Sequence, residues 1–127
     1  MYDAIEGSCS LLLLNKDGIY AARDRAGYTP LAIGKREDAW AVTAESCAFT
    51  NLGFDAAKYI EPGEIVLINE DGPITRKAGG SHKQICSFLW IYTGFPASNY
   101  EGINTETVRE RSGRALARRD KDIQAIS

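Results

Sequence analysis

Short apolar runs alternate with polar turns along the first 76 residues of the chain. Runs of this length, bounded by Gly, Pro, Asn and Asp, are typical of β-strands joined by tight turns. Asp17-Gly18 and Asp71-Gly72 are hairpin dipeptides, in which the glycine supplies the positive φ that the turn requires. Because the links are short, we expect antiparallel pairing. The pattern predicts strands over residues 8–15, 19–23, 31–34, 40–43, 65–69 and 74–76.

A helical period interrupts this series once. Residues 44–52 form the predicted helix, and Gly53 ends it. Residues 2–6 have the pattern of a last helical turn before Gly7. We expect the inward side of the helix to carry Cys47, Ala48 and Leu52.

The rest of the chain is organised differently. Residues 77–83 include Gly79-Gly80-Ser81 and predict a flexible linker. Residues 85–92 are strongly apolar and aromatic, which predicts a further strand. Asn104 is a good N-cap for a helix that runs to about Arg119, with an acidic first turn and a basic last turn. Residues 123–126 begin another apolar element.

The uninterrupted run of four leucines, Leu11–Leu14, is the strongest burial signal in the sequence. A continuous apolar run is typical of a strand that is buried on both faces. We therefore expect this run to face the core, together with, or close to, Trp40, Ile65, Leu67 and Trp90.

Composition excludes several classes of protein. The 15 basic and 17 acidic residues give a net charge of −2, which argues against general nucleic-acid binding. No apolar run approaches the roughly 20 residues that span a bilayer, and the first residues lack the basic start of a signal peptide. Three widely spaced cysteines form neither a disulfide framework nor a CxxC metal pair. A cytoplasmic location is the expectation.

An ordered series of motifs resembles a known family. Ala22-Arg23-Asp24, with Gly27, Pro30-Leu31 and Gly34, is followed by the motif Thr43–Ala48, the turn Pro62–Glu64 and the segment Cys86–Tyr92. Further matches follow at Pro96, Ser98, Gly102, Ile103, Arg109 and Gly113. In this order the motifs resemble amidophosphoribosyltransferase, from the second half of its glutamine amidotransferase domain to the start of its phosphoribosyltransferase domain. The resemblance covers nearly the whole chain.

This resemblance implies an α+β fold. The expected architecture is a partial αββα sandwich of the Ntn-hydrolase type, mostly antiparallel, with a C-terminal strand–helix extension. It implies a partial glutamine amidotransferase domain over 1–78, a linker over 79–84 and the truncated start of a phosphoribosyltransferase-like domain over 85–127. The sequence departs from the family at Leu89, Phe95 and Ala97, which stand where the family has charged residues.

The resemblance also implies what the chain does not carry. The family's nucleophile is an N-terminal cysteine, whereas this sequence starts with Met1-Tyr2-Asp3. The family's Asn-Gly pair would precede Met1, and its phosphoribosyl pyrophosphate loop would follow Ser127. We therefore assign no catalytic and no cofactor-binding residue, and we expect the chain to be inactive alone.

Two functional hypotheses stay open. The chain is either a fragment of an enzyme that transfers glutamine-derived ammonia to phosphoribosyl pyrophosphate in purine synthesis, or a stand-alone interaction module without enzymatic activity. The apolar replacements near Phe95 favour the module, and the cut-looking ends favour the fragment. Membership in the hexosamine-forming synthases is a third reading, against which the match after residue 86 argues.

No cofactor is expected in this chain, although the family uses Mg²⁺ and some members hold an iron–sulfur cluster. Cys86 matches a family ligand of that cluster, but one thiolate does not hold a cluster that normally takes four. We therefore predict no metal site.

The other reactive residue types have structural interpretations. Cys9 and Cys47 suit core positions, and His82 suits the linker. Asp24 beside Arg23 is explained by an aspartate that caps its own turn. A solvated helix face explains the arginines at 109, 111, 114, 118 and 119.

Association with another chain is the last expectation. A half-sandwich leaves an open sheet edge and an apolar face, which a soluble chain must cover. We expect a homodimer or association through the exposed edge, with the helix 104–119 as the exchanged element.

Overall fold

The computed structural model describes residue 2 and residues 4–120. Two α-helices, α1 (Cys47–Leu52) and α2 (Thr105–Arg119), accompany a π-helical turn over Leu89–Thr93. The strands of this part of the chain are β1 (Leu11–Asn15), β2 (Gly18–Ala22), β3 (Ala32–Arg36), β4 (Ala39–Thr43), β5 (Asp55–Tyr59), β6 (Ile65–Asn69), β7 (Gly72–Lys77), β8 (Asn99–Tyr100) and β9 (Ile103–Asn104).

The strands form two main sheets and one small hairpin. The first sheet has the order β1-β2-β6-β7, the second has the order β4-β3-β5, and β8 pairs with β9. Every pairing is antiparallel. The predicted class, a mixed α+β fold with antiparallel sheets, is therefore confirmed.

The core is built by residues from both main sheets. Trp40 and Val42 of β4 pack against it, half-buried. Leu67 is buried, while Ile65 and Trp90 are half-buried. The central cluster consists of Ala21, Leu31, Ile33, Ile60, Val66 and Ile68. The predicted inward placement is thus confirmed for Trp40 and Leu67.

The prediction for the leucine run was wrong. The exposed fractions of Leu11, Leu12, Leu13 and Leu14 are 37%, 48%, 53% and 76%. The run does form a strand, β1, but β1 lies at the edge of the first sheet with β2 as its neighbour. An edge strand with both faces apolar needs cover from beyond the sheet to become buried. The sequence signal was that of a strand buried on both faces, whereas among the described residues no further layer covers β1.

The apolar segment 85–92 is also not a strand. It ends in the π-helical turn, in which the amide of Gly94 donates to the Leu89 carbonyl over 2.7 Å. The rings of Phe88 and Tyr92 lie 5.9 Å apart, since residues four apart share one face of a helical turn. A short apolar run does not distinguish helix from strand by its period, and the expected strand–helix extension is corrected to a π-helical turn, a hairpin and α2.

The first helix is shorter than predicted and buries a different residue. It begins at Cys47, and Phe49 is its buried side chain, whereas Leu52 is 61% exposed. Phe49 packs against the backbone at Gly34, where an added Cβ would lie 2.7 Å from the ring. Strand β5 was not predicted, because its sequence Asp-Ala-Ala-Lys-Tyr has little strand character.

Local signals placed the turns and the last helix correctly. Gly18 has a φ of +130° in the β1–β2 turn, where an added Cβ would lie 2.3 Å from the Ile68 carbonyl oxygen. Asn104 caps α2, accepting a hydrogen bond from the Thr107 amide over 3.0 Å. The predicted element at 123–126, and residue 3 of the predicted turn at 2–6, lie outside the described residues.

Candidate functional site

The motif arginine Arg23 is fully buried directly after β2. Its guanidinium donates to the carbonyl oxygens of Ile60 and Gly27, each over 2.6 Å. The same group forms an ion pair with Glu101, with 2.6 Å between Nη1 and Oε1. A buried guanidinium that is matched by carbonyls and a carboxylate is stable only when these partners stay in place. Arg23 therefore ties the end of β2 to a residue 78 positions later.

Asp24 caps the turn that follows, as predicted from the sequence. Its carboxylate accepts hydrogen bonds from the amides of Ala26 and Tyr28 over 3.1 Å each. The Thr29 amide and the Ser8 hydroxyl donate to the other carboxylate oxygen over 3.3 Å and 3.1 Å. These bonds hold the turn between β2 and β3, so Asp24 has a structural role here.

The second motif places a carboxylate against the β8–β9 hairpin. Glu45 accepts hydrogen bonds from the hydroxyl groups of Ser98 and Tyr100, the latter over 2.9 Å to Oε2 and 3.1 Å to Oε1. The amide of Cys47 donates to Ser98 Oγ over 3.1 Å. Burial and the neighbouring Glu45 carboxylate raise the pKa of Tyr100 well above its ordinary value. The phenol therefore stays a hydrogen-bond donor throughout the physiological range.

Four consecutive residues, 98–101, are thus anchored to the sheets by side chains of the two motifs. Ser98, Tyr100 and Glu101 make the contacts described above, and the Asn99 amide donates to Ser46 Oγ over 2.6 Å. We call these four residues the docking segment. Sequence reasoning singled out Ser98 through its motif match but missed Tyr100 and Glu101, because a tyrosine and a glutamate in an irregular stretch carry no local signal of a distant partner.

Lys83 supports the docking segment from the predicted linker. Its ammonium lies 2.7 Å from a carboxylate oxygen of Glu101 and 3.1 Å from one of Glu61. The hydrogen bond to Glu101 is the main reason why the pKa of Lys83 is raised. The amides of Gly80 and Gln84 also donate to the carbonyls of Pro62 and Ala26, over 2.7 Å and 2.8 Å. The predicted linker, residues 79–84, has no helix or strand, yet hydrogen bonds and ion pairs hold it at several points.

The docking segment is followed by β9 and then by α2, whose first turn bonds back to it. The amides of Thr105 and Glu106 donate to the carbonyls of Ser98 and Pro96, over 2.9 Å and 3.2 Å. Arg109 of α2 donates to three carbonyls at the π-helical turn, those of Trp90, Tyr92 and Gly94. Arg109 is therefore not part of a solvated stripe, whereas the predicted exposure of residues 111, 114, 118 and 119 is confirmed.

The three cysteines are free and half-buried. The interaction of the Cys86 thiol with the Tyr28 hydroxyl lowers the pKa of Cys86 and raises that of Tyr28. In the described part of the chain, no group of three or more His, Cys, Asp or Glu side chains could hold a metal ion. An iron–sulfur cluster at Cys86 would need further thiolate ligands, and the described residues do not provide them. We therefore assign no cluster chemistry to Cys86.

Two open depressions flank the Asp24 turn. The larger, about 490 Å³, is lined by polar and apolar groups that include Tyr2, Cys9 and Arg25. The smaller, about 410 Å³, lies beside Ser8 and Tyr28. Ser8 donates to the Asp24 carboxylate, but that carboxylate already caps the turn. Among the described residues we therefore assign no nucleophile–base pair to either depression. His82 is exposed and lies in the predicted linker, residues 79–84.

Glu64 is a buried carboxylate whose titration we expect to influence stability. Burial alone would raise its pKa, but hydrogen bonds from Lys58, the Glu61 amide and Thr75 outweigh burial and hold the pKa below its ordinary value of 4.5. A depressed carboxyl pKa stabilises the fold above the unfolded-state value, and this stabilisation is lost as the pH falls through the folded-state value.

We expect the free energy of unfolding to fall on acidification below pH 4.5, and Glu64→Gln to make that dependence shallower. Urea denaturation followed by circular dichroism at a series of pH values measures this. Glu70→Gln, in an exposed turn, is the matched control and should keep the wild-type slope. Equal slopes for wild type and Glu64→Gln would contradict the prediction.

Comparison with known proteins supplies the context for this arrangement. The chain is 34% identical to amidophosphoribosyltransferase of Bacillus subtilis over 114 residues, which are 89% of the chain and 24% of that enzyme. It is 35% identical to the Drosophila melanogaster enzyme of the same name over an alignment of 129 positions, which covers 87% of the chain and 24% of that enzyme. The solved structure of the B. subtilis glutamine phosphoribosylpyrophosphate amidotransferase, complexed with ADP and GMP, superposes with a TM-score of 0.82 at 32% identity.

The chain is homologous to one segment of amidophosphoribosyltransferase. The superposition covers 96% of this chain and 26% of the B. subtilis structure, so the chain spans about a quarter of the relatives that it matches. A second structure, entitled the allosteric regulatory enzyme of purine biosynthesis, matches with a TM-score of 0.78 at 33% identity, over 91% of this chain and 24% of its own. No protein-family profile matches the chain.

Among the described residues, no helix is long and apolar enough to cross a membrane.

Proposed function

We propose that this chain forms the junction of an amidotransferase of the amidophosphoribosyltransferase type. In this proposal residues 1–78 belong to a glutamine amidotransferase domain of the Ntn-hydrolase sandwich type, residues 79–84 are the linker, and residues 85–127 begin a phosphoribosyltransferase domain. The observation that carries the proposal is the docking segment. Side chains of two amidotransferase motifs, Arg23 and Glu45, hold residues that follow the linker.

The proposed role of the chain is to position one domain on the other. The whole protein would release ammonia from glutamine and transfer it to phosphoribosyl pyrophosphate, a reaction that needs two sites in fixed relation. The described residues supply ion pairs and hydrogen bonds between the two parts and no arrangement for acyl transfer. We therefore assign to this chain the support of the reaction rather than its chemistry.

A chimera tests this role. The aligned segment of the B. subtilis enzyme is replaced by this chain, and the product is assayed with glutamine and, separately, with ammonia as the nitrogen donor. We expect both reactions to be retained, because the junction is conserved in fold at a TM-score of 0.82. A folded chimera that uses ammonia but no longer glutamine would contradict the proposal, since the two sites would then be uncoupled.

The isolated 127-residue chain should release no ammonia from glutamine above the buffer background. Cys47 is the thiol nearest to the motif hydrogen bonds, but its amide is engaged by Ser98, and Glu45 beside it is committed to Ser98 and Tyr100. A coupled ammonia assay measures the rate. Release that Cys47→Ala abolishes and Cys9→Ala leaves intact would show that the chain has its own nucleophile.

One observation favours a second candidate function, that of an interaction module. Strand β1 presents four exposed leucines at a sheet edge. Such an edge pairs readily with another strand. We propose antiparallel pairing of β1 with β1 of a second copy, centred on Leu13. The helix that the sequence favoured for exchange is a weaker candidate, because the docking segment ties its first turn to its own sheets.

We expect the chain to sediment as a dimer at micromolar concentration and Leu14→Lys to sediment as a monomer. Leu14 is 76% exposed, so the lysine costs little in the monomer but places a charge in the paired edge. Leu52→Lys, at an exposed position on α1, is the control and should remain dimeric. A wild-type chain that is monomeric at this concentration would rule out pairing through β1.

A further inference from the structure

The elements after the linker are tied to one another more closely than to the sheets. We call residues 89–119 the C-terminal unit, which contains the π-helical turn, the β8–β9 hairpin and α2. Arg109 joins α2 to the π-helical turn through three carbonyls, and Asn104, which caps α2, donates to the carbonyl of Ser98 just before β8. Trp90 packs edge-on against Tyr100, with 5.9 Å between ring centroids. The unit therefore has the contacts to move as one body.

The unit has little apolar contact with the sheets. Helix α2 packs mainly on the π-helical turn and β9, and residues 110–119 are exposed. Phe95 is also exposed. Tyr100 is the buried apolar side chain of the unit, and its hydroxyl is the donor to Glu45. Without a shared core, the position of the unit depends on polar contacts.

Those polar contacts lie mainly at two places in the sheet region. Just before α1, the carboxylate of Glu45 accepts hydrogen bonds from Ser98 and Tyr100, and residues 46 and 47 add neutral hydrogen bonds to the same segment. Just after β2, Arg23 donates to the carboxylate of Glu101. A longer bond, from the Tyr59 hydroxyl to the Asn99 carbonyl over 3.4 Å, is the remaining contact from a strand among the described residues. Both attachment points lie within the four-residue docking segment, and each alone fixes the segment through charge-assisted hydrogen bonds.

We propose that Glu45 and Arg23 form a two-point latch that sets the position of the C-terminal unit on the sheets. Loss of one point leaves the unit docked, because the other still holds the same four residues. Loss of both releases the unit as one body while the sheets stay folded. The two side chains are positioning residues, and this role distinguishes them from Asp24, whose carboxylate bonds its own turn and Ser8 but no residue of the C-terminal unit.

Amide hydrogen exchange, followed by NMR on the full chain, tests the latch. The variants are Glu45→Ala, Glu101→Ala and the double variant, where Glu101→Ala removes the ion pairs with Arg23 and Lys83 but leaves the bonds of Arg23 to the Ile60 and Gly27 carbonyls in place. We expect amides of the hairpin and α2 to exchange at near wild-type rates in both single variants. In the double variant we expect exchange to accelerate by about tenfold or more across the whole unit, while amides of β2 and β6 are unchanged.

The control is Glu110→Ala, which removes the exposed ion pair with Arg114 inside α2 and should leave the rates in the hairpin unchanged. Equal rates in single and double variants would overturn the proposal, and so would acceleration that includes β2 and β6 to the same extent. A milder pair, Tyr100→Phe with Glu101→Gln, keeps the test decisive if the alanine variants fail to fold. The test uses this chain alone, so its outcome is independent of the chimera.

Discussion

Replacing Arg23 by alanine is expected to destabilise the chain by about 3–5 kcal/mol, the range for removing one partner of a buried ion pair. The side chain is fully buried and serves the Ile60 and Gly27 carbonyls as well as Glu101. The two carbonyls would lose this donor, and Glu101 would keep only its ion pair with Lys83. Urea denaturation followed by circular dichroism measures the free energy of unfolding.

Two comparison variants sharpen this prediction. Arg111→Ala, on the exposed part of α2, should change stability by no more than about 0.5 kcal/mol. Arg23→Lys keeps the charge but not the planar fork that reaches three acceptors, so we expect an intermediate loss. A loss below about 1 kcal/mol for Arg23→Ala would mean that the guanidinium is not buried in solution.

Replacing Ile33 by alanine is expected to cost about 2–5 kcal/mol, the range for truncating a large aliphatic side chain in a close-packed core. Ile33 is fully buried in the central cluster, where it meets residues of both sheets. Leu14→Ala removes a similar side chain from a position that is 76% exposed and should cost less than about 1 kcal/mol. Parallel urea titrations of the two variants measure the difference.

The stability losses of Leu14→Ala and Ile33→Ala, measured at several protein concentrations, show whether β1 is covered in the monomer or only in a dimer. At the lowest measurable concentration, Leu14→Ala should be close to wild type. A loss equal to that of Ile33→Ala at every concentration would show that β1 is covered within the monomer, against the exposure described above.

The parts of the fold that the sequence predicts are those that depend on neighbouring residues. The turn at Asp17-Gly18 requires a positive φ that glycine supplies, and this requirement is visible in two letters. The same holds for Asn104, whose side chain caps a helix that starts one residue later. Asp24 caps its turn through bonds to residues two to five positions away.

The parts that the sequence missed depend on what lies across space. The pattern of Leu11–Leu14 states that both faces of the strand are apolar, but not whether another layer covers them. For residues 85–92, apolar character alone left the choice between a strand and a helical turn undecided. Strand β5 forms because β3 offers it a pairing edge, which its own sequence does not indicate.

The sequence singled out part of the docking contacts, but only as motif matches to which no role was assigned. The motif matches identified Arg23, Glu45 and Ser98, and the capping role of Asp24 followed from its place in the turn. Tyr100 and Glu101 were missed because their partners lie 55 and 78 positions earlier in the chain. Single-sequence reasoning has no access to a pairing at that distance.

These long sequence separations also imply an order in which the contacts form during folding. Joining Glu101 to Arg23 closes a loop of 78 positions, whereas the hairpins of the first sheet close over only a few residues. Distant contacts of this kind form late, since the entropy of loop closure must be overcome before they contribute. During synthesis the sheets therefore have time to fold before the docking segment emerges. We expect Arg23 and Glu45 to be in place, and accessible to a competing carboxylate or hydroxyl, until residues 98–101 leave the ribosome and dock.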